Sequence, residues 1–446
     1  MEKTAYPESL RKGKNAPGIA AEMWDQLQIF GRMVCDEQIR AEIKFNGQLD
    51  FDLLKKAIRL SFIAEPILGY KYVEHFWRPE WVTMNEIDWE EVVSYELMDP
   101  DRKNINNFLI RQIDPFHGPQ VLIKLFRSEN DILCVLLNHT VGDGTALKSY
   151  LYLLAKIYRR IIDSPDYIPG SNWSRSRSIT QVSNQLNFKT KVKILIRSFR
   201  KQEKYKDWAF PWKRGENNGR KRIITRKLSP ELTTAIHSYM EKHHAWLNEV
   251  LLAAYIRTLY GIIEPTKDLS KRVCIPTDLR KYLPVRQAGT ICNLSATLHL
   301  NPGEDIGNTF HETLGLVHRE MNVIKNSYPG LVGRGFFAIM MKLLPYRSLK
   351  KKLTELPEKP NYHVLPPWLI NFGIMNASLL NFGHTNVNDI YIAQTIGYPD
   401  KSPFQLGVTE FKDSLTFSVC YQGNEETDFL IQRFFNQFEN ELLHLE

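Results

Sequence analysis

The stretch LLNHTVGDG, residues 136–144, combines the end of an apolar strand with a histidine and a glycine-rich turn. The run DILCVLLNHT ahead of the turn predicts a buried strand that delivers His139 to its end. Asp143 stands where a long helix is predicted to begin, and Gly142 and Gly144 leave the backbone beside it free of side chains. A neutral imidazole, with an ordinary pKa of about 6.5, accepts a proton from a hydroxyl or an amine. The stretch therefore predicts a general base at His139.

Asp143 has two interpretations at this stage. Its carboxylate could orient the imidazole of His139 directly. It could instead point away from the ring and bind an arginine elsewhere in the chain, which would fix the loop that carries the histidine. The spacing of the two residues is compatible with both arrangements, so both stay open.

Alternating strand and helix patterns extend outward from the turn in both directions. Upstream, QIRAEIKFNG predicts a strand, DFDLLKKAIRLSFIAE a helix, and VLIKLFRSEN with DILCVLLNHT an antiparallel hairpin. Downstream, apolar residues on one helical face predict a helix from Gly144 toward Ile162. The C-terminal half has predicted strands in RIITRKL, RVCIPTDL, TICNLSATLHL, WLINFGIM, DIYIAQTIG, FQLGVTEF and DSLTFSVCY. Its predicted helices are a pair that breaks near residues 243–245, then DIGNTFHETLGLVHREMNVI, GFFAIMMKLLPYRSLKKKL and a closing TDFLIQRFFNQFENELLHL.

A basic segment divides the chain. Residues 187–222 contain thirteen Lys and Arg against three Asp and Glu, a net charge of +10 in a chain whose total is +8. We expect this segment to be a crossover linker between an N-terminal lobe, residues 1–186, and a C-terminal lobe, residues 223–446. Both lobes mix strands and helices, so the predicted fold class is α/β, a sandwich used twice across one interface. The segment could steer an anionic ligand, rest on an anionic membrane surface, or be a solvated linker.

Composition and charge exclude several classes of protein. The chain has 446 residues, 43% of them hydrophobic and 24% charged, which is typical of globular domains and excludes fibrous and wholly disordered chains. The positive charge is concentrated in one segment, so nucleic-acid binding is not expected. Five widely spaced cysteines without a CxxC pair, and histidines without a zinc-binding pattern, predict neither a disulfide framework nor a metal site. No apolar stretch is long enough for a membrane span, so a cytoplasmic protein is expected.

The HTVGDG stretch resembles the HHxxxDG signature of the chloramphenicol acetyltransferase-like superfamily. That superfamily includes nonribosomal-peptide condensation domains, polyketide-associated acyltransferases, wax ester synthases and alcohol acetyltransferases. Further segments resemble the family's pattern in the family's order: IDPFHGPQVLIKLF, LNEVLLAAYIRTL, IPTDLRKYLP, ICNLSATL, LINFGIM and SLTFSVCYQGN. The resemblance therefore spans nearly the whole chain.

The resemblance implies a fold and an activity. It implies two chloramphenicol acetyltransferase-like α/β sandwich lobes that meet along a central tunnel. It implies an acyltransferase that moves an acyl group from a thioester to a hydroxyl or amine acceptor, with His139 as general base and no covalent enzyme intermediate. The chain has no GxSxG nucleophile motif, which agrees with direct transfer. No bound cofactor is expected, and acyl-CoA or a phosphopantetheine thioester would be a co-substrate.

The resemblance also implies supporting residues, and the chain departs from the family's pattern at two other positions. Asp143, Gly144 and Arg280 of the PTDLR segment are expected to support the site, with Asp143 and Arg280 paired. Asn138 stands where many members have the first histidine. Ile370 stands where the family's SNlG segment has a serine, so an oxyanion donor would have to come from elsewhere. The candidates for that donor, or for tunnel lining, are Asn371, Gly373 and backbone N–H groups.

Two alternatives to a free acyl-CoA transferase stay open. One is a stand-alone condensation enzyme whose donor is held by a carrier protein, and the other is a catalytically silent binding module with the same fold. The expected partners are acyl-CoA and a small-molecule or lipid-like acceptor. A carrier protein and a peripheral membrane contact through residues 187–222 are further candidates, whereas nucleic acid is not.

Overall fold

The computed structural model describes residues 18–98, 102–198, 207–211, 219–266, 269–333, 341, 343–359, 366–398 and 401–445. Much of the basic segment, residues 199–206 and 212–218, lies outside these ranges, as does the start of the predicted helix GFFAIMMKLLPYRSLKKKL. The site predicted from the sequence lies entirely within them.

Most of the strands and helices that the hydrophobic patterns predict are present in both halves. The strands are β1 Ile19–Ala20, β2 Gln38–Phe45, β3 Tyr70–Val73, β4 Glu80–Thr83, β5 Val93–Leu97, β6 Val121–Arg127, β7 Ile132–Asn138, β8 Arg220–Lys227, β9 Val273–Asp278, β10 Ser295–Leu300, β11 Trp368–Met375, β12 Val387–Ala393, β13 Gln405–Phe411 and β14 Ser414–Gly423. The helices are α1 Met23–Gly31, α2 Phe51–Ala64, α3 Trp89–Val92, α4 Lys103–Leu109, α5 Gly144–Asp163, α6 Thr180–Ser183, α7 Phe188–Ser198, α8 Pro230–Lys242, α9 Leu247–Ile263, α10 Phe310–Lys325, α11 Tyr346–Thr354 and α12 Glu425–Leu443. Short 3₁₀ turns occupy Pro66–Gly69, Leu279–Tyr282, Leu356–Glu358 and Ala377–Leu379. The predicted α/β class is confirmed.

The N-terminal half is built on a sheet with the strand order β12-β2-β7-β6-β5. β7 lies in its middle and pairs antiparallel with both β2 and β6. Every residue of β7 is buried, because helices cover one face and other chain segments cover the second. A strand buried on both faces has a continuous apolar sequence, which is what DILCVLLNHT shows.

The C-terminal half is built on a second sheet with the order β10-β9-β11-β13-β14-β8. β11 runs parallel to its neighbours β9 and β13, and the register of β11 against β13 shifts between Asn371 and Ile374. Such an irregularity locally bends a strand and redirects its side chains. A third, small sheet of order β1-β4-β3 was not predicted from the sequence.

One strand crosses between the halves. β12 follows β11 in the chain but pairs antiparallel with the edge of β2, in the N-terminal sheet. The predicted lobe boundaries, 1–186 and 223–446, stay a prediction, and this pairing means that residues from both sides of the basic segment build the first sheet.

The helix that follows the HTVGDG turn is the longest one described, and it begins as predicted. α5 spans Gly144–Asp163, with Asp143 as its N-cap. Its buried face packs in the core of the N-terminal half, where it contacts α2. α9, α10 and α12 form the corresponding helical layer of the C-terminal half. The predicted break between α8 and α9 is present, where His244 adopts a positive φ of 50°.

The segment TICNLSATLHL is strand only in its second part. β10 starts at Ser295, five residues later than the predicted start at Thr290. The residues ahead of it turn their backbone groups toward other partners: the N–H of Leu294 donates to Asp143, and the N–H of Ile291 donates to Glu65. Donors committed to side chains cannot also extend a sheet.

Candidate active site

A cavity of about 380 Å³ lies where the two halves meet. Residues of the N-terminal half form one part of its wall, and residues that follow β8 form the rest. His139 lines it together with Gln28, Glu37, Asp278, Asn371 and Phe372. A cavity of this size lies within the range of small-molecule sites.

His139 follows the last residue of β7 and is held by its backbone. Its N–H donates to the carbonyl of Glu37 at 2.9 Å, and its own carbonyl accepts from Nδ2 of Asn293 at 2.9 Å. One of these partners belongs to each half of the molecule. Burial lowers the pKa of His139 below its ordinary value of 6.5, although the negative charge of Asp143 opposes the shift. The imidazole is therefore neutral near pH 7, which is the form that can accept a proton.

Asp143 faces away from the imidazole, toward the C-terminal half. Its Oδ2 accepts from Nη1 of Arg280 at 2.9 Å and from the N–H of Leu294 at 2.7 Å. Its Oδ1 accepts from the N–H of Ala146 at 2.9 Å and so caps α5. Of the two interpretations left open by the sequence, this geometry matches the one in which the aspartate binds an arginine and fixes the loop.

Arg280 lies in the 3₁₀ turn after β9 and is buried with Asp143. Its Nη2 donates to the carbonyl of Cys292 at 2.8 Å, and its Nη1 also reaches Oδ1 of Asp278 at 3.0 Å. Burial lowers the pKa of the guanidinium, but the charge of Asp143 and the further contributions of Cys292 and Asp278 together raise it by more, so the pKa lies above the ordinary value. Arg280 is therefore a charged tie between the loop and the second sheet.

The glycines of the turn are explained by close neighbours. A Cβ on Gly144 would lie 2.7 Å from the ring of Phe372, and a Cβ on Gly142 would lie 2.7 Å from Cβ of Ala146. Both distances are too short for carbon atoms in contact. The first of them lies between the halves, so Gly144 lets β11 approach the start of α5.

Asn371 and Gly373, the predicted oxyanion or lining residues, bond to each other. The N–H of Gly373 donates to Oδ1 of Asn371 at 2.7 Å, and Nδ2 of Asn371 donates to Oδ1 of Asn248 at 2.6 Å. Asn371 lines the cavity beside Ile370. These bonds follow the irregular part of β11, where Gly373 has a φ of +73° that favours glycine.

Solved structures similar to this one share its architecture from end to end. No protein-family model and no curated protein sequence matches the chain. The first condensation domain of the calcium-dependent antibiotic synthetase, solved with a substrate analogue, matches with a TM-score of 0.68 and 14% identity, over 96% of this chain and 98% of that one. The trichothecene 15-O-acetyltransferase of Fusarium sporotrichioides matches with a TM-score of 0.66 and 10% identity, over 96% and 94%.

A third match is polyketide synthase associated protein 5 of Mycobacterium tuberculosis, with a TM-score of 0.62 and 13% identity, over 95% of this chain and 98% of that one. The chain has the chloramphenicol acetyltransferase-like condensation-domain fold. The fold that the resemblance implied is thus confirmed, while identities this low show the fold alone.

This condensation-domain fold holds its loop without the first histidine of the signature. Asn138 stands at that position, is buried, and donates from Nδ2 to Oε1 of Gln120 at 3.0 Å. Its Oδ1 accepts from the N–H of Thr140 at 3.0 Å. Both ends of the Asn138 amide are therefore hydrogen-bonded within the site, and Asn138 supports the loop in place of a histidine. The sequence alone did not show this support.

Two polar groups of the cavity were not predicted from the sequence. Nε2 of Gln28, on α1, lies 3.2 Å from Nδ1 and 3.4 Å from Nε2 of His139. Glu37 is buried beside Cys35, whose thiol donates to it at 3.0 Å, and burial raises the pKa of Glu37 to about 8. Gln28 lies on a helix far from the motif in sequence, and Glu37 precedes a strand of ordinary pattern, so neither gave a signal.

The rest of the described chain adds little to the site. Its residues include no cluster of three or more His, Cys, Asp and Glu placed to hold a metal ion. The helices in the same residues include none long and apolar enough to span a bilayer. Within the basic segment, α7 carries Lys189, Lys191, Lys193 and Arg197 and has no buried residue.

Proposed function

We propose that this protein transfers an acyl group from a thioester to a hydroxyl or amine, with His139 as the general base. The observation that carries the proposal is a half-buried imidazole fixed at the wall of a cavity that both halves line, where desolvation lowers its pKa and so favours the neutral form. The named neighbours with this fold include condensation domains and an O-acetyltransferase, which supports acyl transfer as the reaction class.

The chemistry needs one base and an open path for the acceptor. The imidazole takes the proton of the acceptor's O–H or N–H while the oxygen or nitrogen bonds to the thioester carbon, whose carbonyl π electrons move to oxygen. The carbonyl then re-forms, the C–S bond breaks, and the imidazolium returns the proton to the departing thiolate. Because the thiolate is a good leaving group, positioning and one base are sufficient catalysts.

Asp143, Gly144 and Arg280 are assigned supporting roles. The ion pair and the glycine hold the loop against the second sheet, and the carboxylate takes no part in proton transfer. An aspartate with three donors already bound has little capacity left to orient an imidazole.

The wall of the cavity favours a neutral or basic acceptor. Its lining carboxyl residues are Glu37, Asp143 and Asp278, and the described lining residues include no Lys or Arg. An anionic acceptor would meet no counter-charge there. A neutral alcohol or an amine would not meet that difficulty, and both give the proton that His139 accepts.

Acyl-CoA is the donor we propose, as a co-substrate rather than a bound cofactor. The alternative donor, a thioester on a carrier protein, is favoured by the condensation domains among the structural neighbours. A silent binding module is the remaining alternative, and the neutral imidazole at the cavity wall favours an enzyme over it.

Thiol release from thioesters distinguishes these candidates. The purified protein is incubated with acetyl-, octanoyl- or palmitoyl-CoA, with and without primary alcohols and amines, and with the same acyl groups on a phosphopantetheinyl carrier protein. Acceptor-dependent thiol release with free CoA, accompanied by ester or amide product, supports the proposal. Thiol release only from the carrier protein supports the condensation enzyme. Absence of product with every combination of donor and acceptor overturns acyl transfer.

A further inference from the structure

Stabilisation of the oxyanion is the part of the proposed reaction that still lacks a residue. The side chain of Ile370 has no hydrogen-bond donor, and Nδ2 of Asn371 gives one of its two hydrogens to Asn248. The N–H of Gly373 is bonded to Asn371. In the described residues, neither Asn371 nor Gly373 has a hydrogen bond that brings it to His139.

Gln28 has a donor at the right place. Its Nε2 is nearly equidistant from both ring nitrogens of His139, at 3.2 and 3.4 Å. An atom at equal distances in the ring plane would collide with Cε1, which lies between the two nitrogens. The amide nitrogen therefore lies out of the plane of the ring, where it does not compete with an acceptor for the in-plane lone pair of the basic nitrogen.

The contact of this amide with the ring is weak and can be exchanged. Nε2 carries two hydrogens, and within the described part of the chain its recorded contacts are those with the imidazole. Hydrogen bonds to the face of a ring are much weaker than charge-assisted bonds to an oxyanion. The amide would gain free energy by turning from the ring to a negative oxygen formed beside it.

The helix that carries Gln28 is tied to the histidine loop by one buried arginine. Arg177 donates from Nη2 to Oδ1 of Asp25 on α1 at 2.8 Å, and from Nη1 to the carbonyl of Val141 in the HTVGDG turn at 3.0 Å. Trp81 donates to the second oxygen of Asp25 at 2.9 Å. Helix α1 and the histidine turn are therefore fixed relative to each other before substrate binds, so the Gln28 amide needs only a side-chain rotation to reach the oxyanion.

We propose that Gln28 is a catalytic residue, whose Nε2–H donates to the oxyanion formed when the acceptor attacks the thioester. The proposal rests on the function proposed above. In the step, the acceptor oxygen or nitrogen bonds to the acyl carbon and its proton moves to His139. The carbonyl oxygen takes the π electron pair, and Gln28 donates a hydrogen bond to it. When the C=O bond re-forms, that bond weakens and the thiolate leaves with the proton from the imidazolium.

Gln28→Met tests the role with little change of volume. We expect kcat to fall about 10²–10³-fold, the usual effect of losing one oxyanion donor, with the KM for the thioester nearly unchanged. Gln185→Met, an exposed glutamine in the segment before α7, is the matched control and should keep full activity. If Gln28→Met is unstable in thermal melting, Gln28→Asn, which withdraws the amide by one methylene, is expected to show a similar loss.

Two further measurements distinguish oxyanion binding from a role in positioning His139. The pH midpoint of kcat/KM should be the same in Gln28→Met and wild type, and Gln28→Met should lower the residual rate further in a His139→Ala background. A shifted midpoint, or no added loss in that background, overturns the proposal in favour of positioning. Full activity of folded Gln28→Met overturns it while leaving the proposed function intact, whereas loss of the proposed function itself appears as no thioester transfer by wild type.

Discussion

His139 and Arg280 come from different halves of the molecule and have different kinds of partners. His139 ends a strand of the first sheet, lines the cavity and contacts the amide of Gln28. Arg280 follows a strand of the second sheet, is buried, and bonds to Asp143 and to the carbonyl of Cys292. His139 thus presents a group that can meet a substrate, whereas Arg280 holds the loop that carries His139. Changes on the two sides should therefore separate activity from stability.

Removal of the imidazole should give the largest effect on rate. We expect His139→Ala to lower turnover by about 10²–10⁴-fold, because the acceptor then loses its general base. The melting temperature should stay close to that of wild type, since the loop is held through the backbone of this residue. His384→Ala, at an exposed turn, is the control. Near-normal turnover by folded His139→Ala, in an assay limited by chemistry, would show that the base lies elsewhere.

Removal of Asp143 should lower the stability of the protein, because it breaks the ion pair with Arg280. Asp143→Ala leaves the guanidinium of Arg280 buried without its counter-charge, and we expect the free energy of unfolding to fall by about 3–5 kcal/mol. Denaturant titration measures it. The control is Glu439→Ala, which breaks a partly exposed pair with Arg226 and should lower it by about 1 kcal/mol or less. Equal losses of unfolding free energy in the two variants would show that the Asp143–Arg280 ion pair does not stabilise the contact between the halves.

A methyl group at Gly144 should push β11 away from the start of α5. Because its Cβ would lie 2.7 Å from the ring of Phe372, Gly144→Ala has to displace β11 or the start of α5. We expect the free energy of unfolding to fall by about 1–3 kcal/mol, together with reduced turnover. Gly170→Ala is the control, because nothing lies within 4 Å of a Cβ there. Failure of a second change, Phe372→Leu, to restore part of the loss would argue against this contact.

The pH profile should sharpen the comparison further. Burial lowers the pKa of His139, so the acid limb of kcat/KM should have its midpoint below 6.5. The negative charge of Asp143 opposes that shift, and Asp143→Asn should therefore move the midpoint lower still. Rates of both proteins between pH 5 and pH 8 check this, given a fold check at each end. A midpoint at or above 6.5 in wild type would mean that another group limits the rate.

The smallest effect is expected from the basic segment, which belongs to neither side of the cavity. Replacing Lys189, Lys191 and Lys193 on α7 by Gln should lower kcat/KM for acyl-CoA by no more than about threefold at low salt. The difference should vanish near 0.15 M salt, where the Debye length is about 8 Å. Lys351→Gln with Lys352→Gln, two exposed positions on α11, is the control. If kcat/KM depends on salt identically in wild type and the α7 variant, and neither protein sediments with anionic vesicles, the basic segment is only a solvated linker.

The sequence predicted those features that depend on local pattern. β7 is a continuous apolar run, and α5 begins at a capping aspartate, so both could be placed within a residue or two. The partner of Asp143 was not a local feature. It came from the family resemblance, and the structure places Arg280 at hydrogen-bonding distance from it.

Features that depend on the meeting of distant segments were not predictable. Gln28 faces His139 across segments that are distant in sequence, and Arg177 ties α1 to the turn. The late start of β10 follows from backbone donors that bond to Asp143 and Glu65. No periodicity of a single segment carries that information, since each of these bonds joins residues far apart in the chain.

The transfer of β12 into the first sheet has a consequence for synthesis on the ribosome. β2 is complete at Phe45, but the strand that covers its edge begins at Val387. At about 5–20 residues per second, that edge waits roughly 20 to 70 s for its partner. An open edge of this kind invites pairing between neighbouring nascent chains. β2 carries Arg40, Glu42 and Lys44 at alternate positions, and these charges make premature pairing with another copy less favourable until translation reaches the missing strand.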